Sequence, residues 1–125
     1  LSDEYTIRDG SGISHLNLLS ANALSSLLYA VQKEKWCPAY QSSLPVAGNS
    51  NRMVGGTLRN RMIGTVAAGR VIAKTGTISK VSTLSGYVHS KSGKRYIFSI
   101  LLHNPKTSQN LKNMENQIAI VLANS

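Results

Sequence analysis

After residue 69 the chain consists of three strand-like segments joined by very short connections. Segments 70–77, 81–89 and 95–102 are rich in β-branched and aromatic residues, which favour strands. The turns at 78–80 and 90–93 are three and four residues long, whereas a parallel crossover needs about a dozen residues. The sequence therefore predicts a three-stranded antiparallel meander.

Two helical patterns flank these strands. The first begins after Ser20, a residue type that favours the N-cap position. Its apolar stripe consists of Leu24, Leu27, Leu28 and Val31. The second spans residues 107–123, and its apolar face is predicted at Leu111, Met114, Ile118, Val121 and Leu122. The predicted fold class is α+β, with N-terminal and C-terminal helices and an antiparallel sheet.

The chain offers few elements to cover that sheet. Segment 95–102 is apolar on both faces, so both of its sides are expected to be covered. Segment 70–77 is then the free edge, or it pairs with something outside this sequence. One C-terminal helix leaves a sheet face and the edges bare. Residues 36–69 look irregular, with short helical turns expected at 40–43 and 57–62. We therefore expect residues 1–125 to be the C-terminal part of a larger domain.

Charge is unevenly distributed along the chain. The formal net charge is +9, and no acidic residue lies between Glu34 and Glu115. Twelve basic residues fall in that interval: Lys35, Arg52, Arg59, Arg61, Arg70, Lys74, Lys80, Lys91, Lys94, Arg95, Lys106 and Lys112. Either this field attracts anionic ligands, or acids on a part of the protein outside this sequence balance it.

Few residues suit a metal or a covalent cross-link. Cys37 is the single cysteine, which excludes an internal disulfide and every multi-cysteine metal site. His15, His89 and His103 have no Asp or Glu at ligand spacing. We expect no metal and no cofactor.

The tripeptide Lys74-Thr75-Gly76 lies within the first strand segment. Its lysine supplies a positive charge and its threonine a hydroxyl donor, and both suit a carboxylate. The glycine removes the side chain that would keep a ligand away from the strand, and the amide of Thr77 is suited to a developing oxyanion. A ligand lying there takes main-chain hydrogen bonds as an added strand does. The pattern indicates a binding edge.

Lys-Thr-Gly is also the third motif of the serine penicillin-binding proteins and β-lactamases, beside Ser-x-x-Lys and Ser-x-Asn. More specific landmarks follow one another along this chain. They are Asp9-Gly10-Ser11-Gly12-Ile13-Ser14 with Asn17, Ser43-Leu44-Pro45-Val46-Ala47-Gly48, Gly56-Thr57-Leu58-Arg59, Ala68-Gly69-Arg70 and Ala73-Lys74-Thr75-Gly76-Thr77. With them the chain resembles the C-terminal portion of the D-alanyl-D-alanine carboxypeptidase/endopeptidase family, the low-molecular-mass class C penicillin-binding proteins.

The resemblance implies a serine β-lactamase/DD-peptidase-like fold and a serine-type D-Ala-D-Ala carboxypeptidase that acts on peptidoglycan. In that family a serine forms an acyl-enzyme that water resolves, and penicillin forms a stable version of the same ester. Carried over by motif, Lys74 is the catalytic residue, which tunes the electrostatics beside the Ser-x-Asn serine and helps to hold the substrate carboxylate. Thr75 donates to that carboxylate, Gly76 allows close approach, and the Thr77 amide is half of the oxyanion hole.

The chain departs from the family pattern in one respect that decides its activity. No lysine has a serine three positions before it, so Ser-x-x-Lys and its nucleophile are absent from this sequence. The nearest match, Thr77-Ile78-Ser79-Lys80, carries threonine and overlaps the third motif. Ser20-Ala21-Asn22 and Ser108-Gln109-Asn110 match Ser-x-Asn, but we interpret both serines as helix N-caps. We expect an N-terminal part of the same protein, or a separate chain, to carry both missing motifs, and this segment alone to be inactive.

The implied partners are peptidoglycan stem peptides ending in D-Ala-D-Ala and β-lactam antibiotics. The implied location is the periplasmic or extracellular face of the bacterial cytoplasmic membrane, although residues 1–5 show no signal peptide.

Two alternatives remain. One is a serine β-lactamase, against which the Gly-Thr-Leu-Arg and Leu-Pro-Val-Ala-Gly landmarks argue. The other is a non-enzymatic basic module that binds an anionic polymer with an affinity falling steeply with salt. A single Phe, a single Trp and the lack of a known motif argue against nucleic acid as the partner.

Overall fold

The computed structural model describes residues 5–15, 17–104, 106 and 110–125. The helices are α1 (Ala21–Val31), α2 (Cys37–Ser43), α3 (Arg52–Gly55) and α4 (Leu111–Asn124), with a 3-10 turn at Gly56–Leu58. The strands are β1 (Tyr5–Thr6), β2 (Leu18–Leu19), β3 (Val71–Ile78), β4 (Val81–His89) and β5 (Arg95–His103). β1 and β2 pair as a small antiparallel ribbon, which the sequence did not predict.

The predicted meander is confirmed. The strand order is β3-β4-β5, both pairs are antiparallel, and each boundary lies within one residue of its predicted position. A two-residue turn joins β3 to β4, closed by the pair Ile78 and Val81, with Lys80 in the left-handed region at φ 64°. This register puts Lys74, Ser85 and Ser99 in one row across the sheet.

Close packing between β3 and β4 depends on a glycine. Gly86 lies opposite Ala73, and a Cβ built on Gly86 would lie 2.2 Å from the Ile72 carbonyl oxygen and 2.6 Å from the Ala73 Cα. Such distances are impossible without moving the backbone, so any larger residue at position 86 pushes the two strands apart. Gly86 thereby fixes where β3 lies relative to the rest of the sheet.

Helix α4 covers one face of the sheet, and its packed face is only partly the one that the sequence predicts, because Leu111 is buried and Leu122 packs against the core. Its buried residues are Leu111, Glu115, Ala119 and Ala123. Met114, Ile118 and Val121 are 42–68% exposed, so their predicted burial is wrong. The two alanines let the helix approach the core residues Leu84, Val88, Phe98 and Ile100 closely, while Met114, Ile118 and Val121 turn outward.

A buried ion pair explains how a glutamate reaches that core face. The Arg61 guanidinium donates to Glu115 Oε2 at 2.8 Å, to Asn116 Oδ1 at 2.8 Å and to the Lys112 carbonyl at 3.0 Å. The Glu115 side chain is fully buried, and its Oε1 has no hydrogen-bond partner among the described residues. Arg61 therefore ties the segment before β3 to α4.

Helix α1 lies on the opposite face of the sheet, which corrects the prediction that this face is bare. Leu28 packs against Tyr87, whose hydroxyl donates to the Leu28 carbonyl at 2.8 Å. Burial raises the pKa of Tyr87, so its hydroxyl stays a donor. Further along this face Leu101 is 37% exposed. Leu27, predicted on the packed stripe, is 57% exposed and instead lines a groove beside the β1–β2 ribbon.

Helix starts are partly as predicted. Ser20 is the N-cap of α1 and accepts a hydrogen bond from the Ala23 amide at 3.0 Å. α2 begins at Cys37, three residues before the turn predicted at 40–43, because Pro38 is tolerated in a first helical turn. The N-cap interpretation of Ser108 lies outside the described residues, and α4 begins after Asn110.

Across the described part of the chain, no helix has the length and apolar character that crossing a membrane requires.

Replacing Gly86 by alanine is predicted to lower the free energy of unfolding by about 1–3 kcal/mol, because the added methyl group overlaps the β3 backbone. Gly10→Ala is the matched control, since a Cβ there meets nothing within 4 Å. Chemical denaturation of the intact protein measures both. Equal stability of the two variants would contradict the strand contact.

Arg61→Leu is predicted to lower the free energy of unfolding by about 3–5 kcal/mol, because it leaves the buried Glu115 carboxylate without its charge partner. The double variant Arg61→Leu/Glu115→Leu should cost much less, since it removes both charges. Arg52→Leu, an exposed arginine on α3, serves as the control. A double variant as unstable as the single one would argue against the ion pair as the cause.

Candidate functional site

The outer edge of β3 is covered at its start and open further along. The Ala47 amide donates to the Val71 carbonyl at 2.9 Å, and the Ala73 amide donates to the Pro45 carbonyl at 3.0 Å. These bonds form an antiparallel bridge between Val46 and Ile72. Within the described residues the pairing stops at Ala73, one residue before Lys74. The predicted free edge is thus partly covered, and its open part begins at the Lys-Thr-Gly tripeptide.

The backbone groups on that open edge follow from strand alternation. Val71 and Ala73 direct their amide and carbonyl groups outward, away from β4. Because these groups alternate sides with a period of two residues, those of Thr75 and Thr77 point outward as well. Neither residue's amide has a partner among the described residues. The edge therefore presents backbone groups with which an added antiparallel strand can form hydrogen bonds.

Lys74 places a positive charge beside this edge. Its side chain is exposed, and Nζ donates to the Thr75 carbonyl oxygen at 2.5 Å. It lies on the same sheet face as Ser85 and Ser99, whose hydroxyl oxygens are 2.8 Å apart. A polar row thus leads across the sheet from the lysine.

Gly76 lies on that same face, directly beside the Thr83 side chain. A Cβ built on Gly76 would lie 2.5 Å from the Thr83 Oγ1, and the Thr83 hydroxyl donates to the Gly76 carbonyl at 3.4 Å. The glycine therefore has a structural reason within the sheet, in addition to the ligand approach that the sequence suggests.

Thr75 has a partner that sequence reasoning did not assign a role. Its hydroxyl donates to the Thr57 Oγ1 at 2.9 Å. Thr57 lies in the 3-10 turn Gly56–Leu58, where the sequence predicts only a helical turn. The two threonines are 18 positions apart, so nothing in a one-dimensional pattern indicates that they touch. The one sequence feature that marked Thr57 was the Gly-Thr-Leu-Arg landmark.

A loop faces the edge from the other side and encloses a cleft of about 610 Å³. The cleft is lined by Gly10, Ser11, Gly12, Ile13, Leu19, Lys74, Thr75, Gly76, Thr77, Ile78, Val81 and Thr83. All four residues singled out from the sequence lie together on its wall. The loop wall is a second element that the sequence marked only as a landmark.

Asp9 organises this loop. Its carboxylate accepts hydrogen bonds from the Asn17 amide group at 2.8 Å, the Ser11 hydroxyl at 3.0 Å, the Gly12 amide at 3.0 Å and the Ser14 amide at 3.1 Å. The Asn17 contact, the largest cause, and the other donors lower the pKa of Asp9. The carboxylate is therefore ionised at neutral pH and holds the loop closed on itself.

The cleft carries net positive charge near its lysine. The described residues include three acids, Asp9, Glu34 and Glu115. Asp9 is engaged by its own loop and Glu115 by Arg61, so neither neutralises Lys74 through a direct contact. Among the described residues, no group of three or more His, Cys, Asp or Glu side chains is placed to hold a metal ion. The arrangement suits recognition of an anionic, extended ligand.

The sequence as a whole matches a known family. The profile of the D-Ala-D-Ala carboxypeptidase 3 (S13) family matches residues 2–125. A D-alanyl-D-alanine carboxypeptidase from Actinomadura sp. is 50% identical over 95 residues, which cover 76% of this chain and 18% of that protein. A penicillin-sensitive carboxypeptidase A from Dictyostelium discoideum is 34% identical over 94% of this chain and 23% of its own length. The chain thus spans about a fifth of the length of these curated relatives.

Solved structures share the fold. Penicillin binding protein 4 from Haemophilus influenzae superposes with a TM-score of 0.79 over 98% of this chain and 28% of its own, at 23% identity. A predatory endopeptidase from Bdellovibrio bacteriovorus, solved in complex with an immunity protein, gives a TM-score of 0.72 at 28% identity, over 98% of this chain and 34% of its own. These matches confirm the predicted DD-peptidase-like α+β fold.

Gly76→Ala is predicted to destabilise the sheet by about 1–3 kcal/mol, because its methyl group overlaps the Thr83 hydroxyl. In a Thr83→Ala background the same change should cost less than about 1 kcal/mol, since the overlapping oxygen is gone. Denaturation of the four proteins of this double-mutant cycle tests the contact. An identical cost in both backgrounds would show that the crowding arises elsewhere.

Proposed function

Because the chain belongs to the D-Ala-D-Ala carboxypeptidase 3 (S13) family, we propose that it is the C-terminal part of a serine-type D-Ala-D-Ala carboxypeptidase or endopeptidase domain. Residues 1–125 supply the wall that binds the substrate carboxylate and the oxyanion. A preceding segment, or a separate chain, supplies the Ser-x-x-Lys and Ser-x-Asn motifs. Two facts support this division. The chain spans only part of the length of its relatives, and its sequence contains no Ser-x-x-Lys.

The open edge of β3 is the observation that carries the proposal. Its pairing with residues 45–47 ends at Ala73, and outward amides follow at Thr75 and Thr77. A peptide lying antiparallel there receives main-chain hydrogen bonds that are independent of its side chains. Its terminal carboxylate then lies near the Lys74 ammonium, which lowers the free energy of an anion at that end of the cleft. Gly76 leaves the strand surface free for the ligand backbone.

The chemistry is acyl transfer. The serine of the other segment attacks the carbonyl of the D-Ala-D-Ala bond, and the Thr77 amide stabilises the oxyanion that develops. The C–N bond breaks, the terminal D-alanine leaves with a proton on its amine, and an acyl-enzyme ester remains. Water hydrolyses that ester. Lys74 contributes by its fixed positive charge beside the Ser-x-Asn serine and the substrate carboxylate.

A β-lactam ring follows the same first step. The serine opens the ring, and the resulting ester resists hydrolysis because the leaving amine stays attached to the acyl group. The names of two similar proteins, a penicillin-sensitive carboxypeptidase and a penicillin binding protein, agree with this behaviour. We place the substrate, peptidoglycan, and hence the enzyme on the periplasmic or extracellular side of the cytoplasmic membrane.

A fluorescent penicillin should label the intact protein covalently, with the label on a serine of a Ser-x-x-Lys motif outside residues 1–125. Lys74→Ala should slow labelling by about 10- to 100-fold, the value expected when a charged hydrogen-bond partner is removed. Lys91→Ala, which removes an exposed lysine in the β4–β5 turn, is the matched control. Gel fluorescence over time and mapping of the labelled peptide provide the readouts.

Three outcomes would count against the proposal. If the intact protein is not labelled, the acyl-enzyme assignment fails. If residues 1–125 alone are labelled, the argument that they lack a nucleophile fails. If the label is released rapidly, with turnover of the penicillin, the β-lactamase alternative is correct instead.

A further inference from the structure

We propose that Thr57 is a second hydroxyl group of the carboxylate site, acting together with Thr75. This inference rests on the proposed function, because it concerns the anion that the β3 edge is proposed to bind. From the sequence alone, Thr75 is the hydroxyl donor to the substrate carboxylate. The structure gives that hydroxyl a different acceptor, the Thr57 Oγ1.

Hydrogen-bond direction is the first argument. The Thr75 hydroxyl donates to Thr57 Oγ1 at 2.9 Å, so the Thr75 proton is already engaged. The hydroxyl proton of Thr57 has no acceptor among the described residues, and the residue is exposed at the surface. A carboxylate arriving at this place therefore finds the Thr57 proton available. A donor chain from Thr75 through Thr57 to the carboxylate satisfies all three groups, and each bond in such a chain strengthens the next.

The rigidity of the turn that carries Thr57 is the second argument. Leu58 is completely buried in the core, and its carbonyl accepts the Gly48 amide at 3.1 Å. Gly56 has φ 48°, and a Cβ there would lie 3.3 Å from Pro45 Cγ. Gly55 is still more constrained, because a Cβ there would lie 1.9 Å from the Asn49 carbonyl oxygen. Thr57 thus projects from a turn fixed on both sides, as a preorganised ligand contact requires.

Placement relative to the edge is the third argument. Residues 45–47, which pair with the start of β3, lead into the segment that bears Thr57. Further along, Arg61 ties the same segment to α4 through Glu115. The segment is therefore fixed to β3 before the turn and to α4 after it. The Thr57 hydroxyl is accordingly held next to the edge position that follows Lys74, where positive charge favours an anion.

The test uses the intact protein and two forms of one ligand, benzylpenicillin and its methyl ester, which lacks the carboxylate charge. Thr57→Val removes the hydroxyl at nearly constant volume, and Thr57→Ser retains it. The second-order rate constant of acylation is measured for each combination. Thermal unfolding of each variant shows whether the fold is intact.

The inference predicts that Thr57→Val lowers the rate constant with benzylpenicillin by about tenfold or more, the loss of one hydrogen bond to a charged group. Thr57→Ser should recover most of that loss. With the methyl ester, wild type and Thr57→Val should react at the same rate. Adding Thr75→Val to Thr57→Val should lower the rate constant much less than Thr75→Val does alone, because the two hydroxyls act as one hydrogen-bonded chain.

Equal losses with the acid and the ester would overturn the inference, because they would show that Thr57 only supports the strand. An unchanged rate with benzylpenicillin would overturn it as well. If wild type itself is not acylated, the proposed function and this inference both fail. Acylation of wild type with no specific effect at Thr57 leaves the proposed function standing and removes the inference alone.

Discussion

The short pairing between residues 45–47 and the start of β3 is the constraint on which the site depends. Two backbone hydrogen bonds, at Val71 and Ala73, cover the edge up to the residue before Lys74. Had the pairing continued, the amides of Thr75 and Thr77 would be occupied. Had it been absent, the segment that leads to Thr57 would lose its backbone hydrogen bonds to the strand. The pairing thus holds the start of β3 in place and, because it stops at Ala73, leaves the rest of the edge open.

Strand and turn positions followed from sequence because they depend on local chemistry. Three segments of strand-forming residues with short connections allow only a meander, and the observed boundaries agree within one residue. Ser20 was predictable as an N-cap because serine favours that position before a helical pattern, and its hydroxyl does accept the Ala23 amide. The Lys-Thr-Gly residues were found because charge, hydroxyl and glycine occur consecutively on one strand.

Contacts between distant segments were not readable in this way. The packed face of α4 was predicted from its largest apolar side chains, but Ala119 and Ala123 allow a closer approach and Glu115 is buried by virtue of Arg61. The partner of Thr75 is likewise 18 residues away in a turn without periodicity. Each miss concerns a side chain whose environment is decided by another part of the chain.

The unpaired stretch of β3 has a consequence for behaviour in solution. An exposed strand edge is a template on which another copy of the same edge can pair, which leads to aggregation. Here the stretch begins with the exposed Lys74 and ends in a turn that contains Lys80. Two copies approaching edge to edge would bring these ammonium groups together, and their repulsion opposes such pairing. The charge that suits an anionic ligand thus also discourages self-association through the same edge.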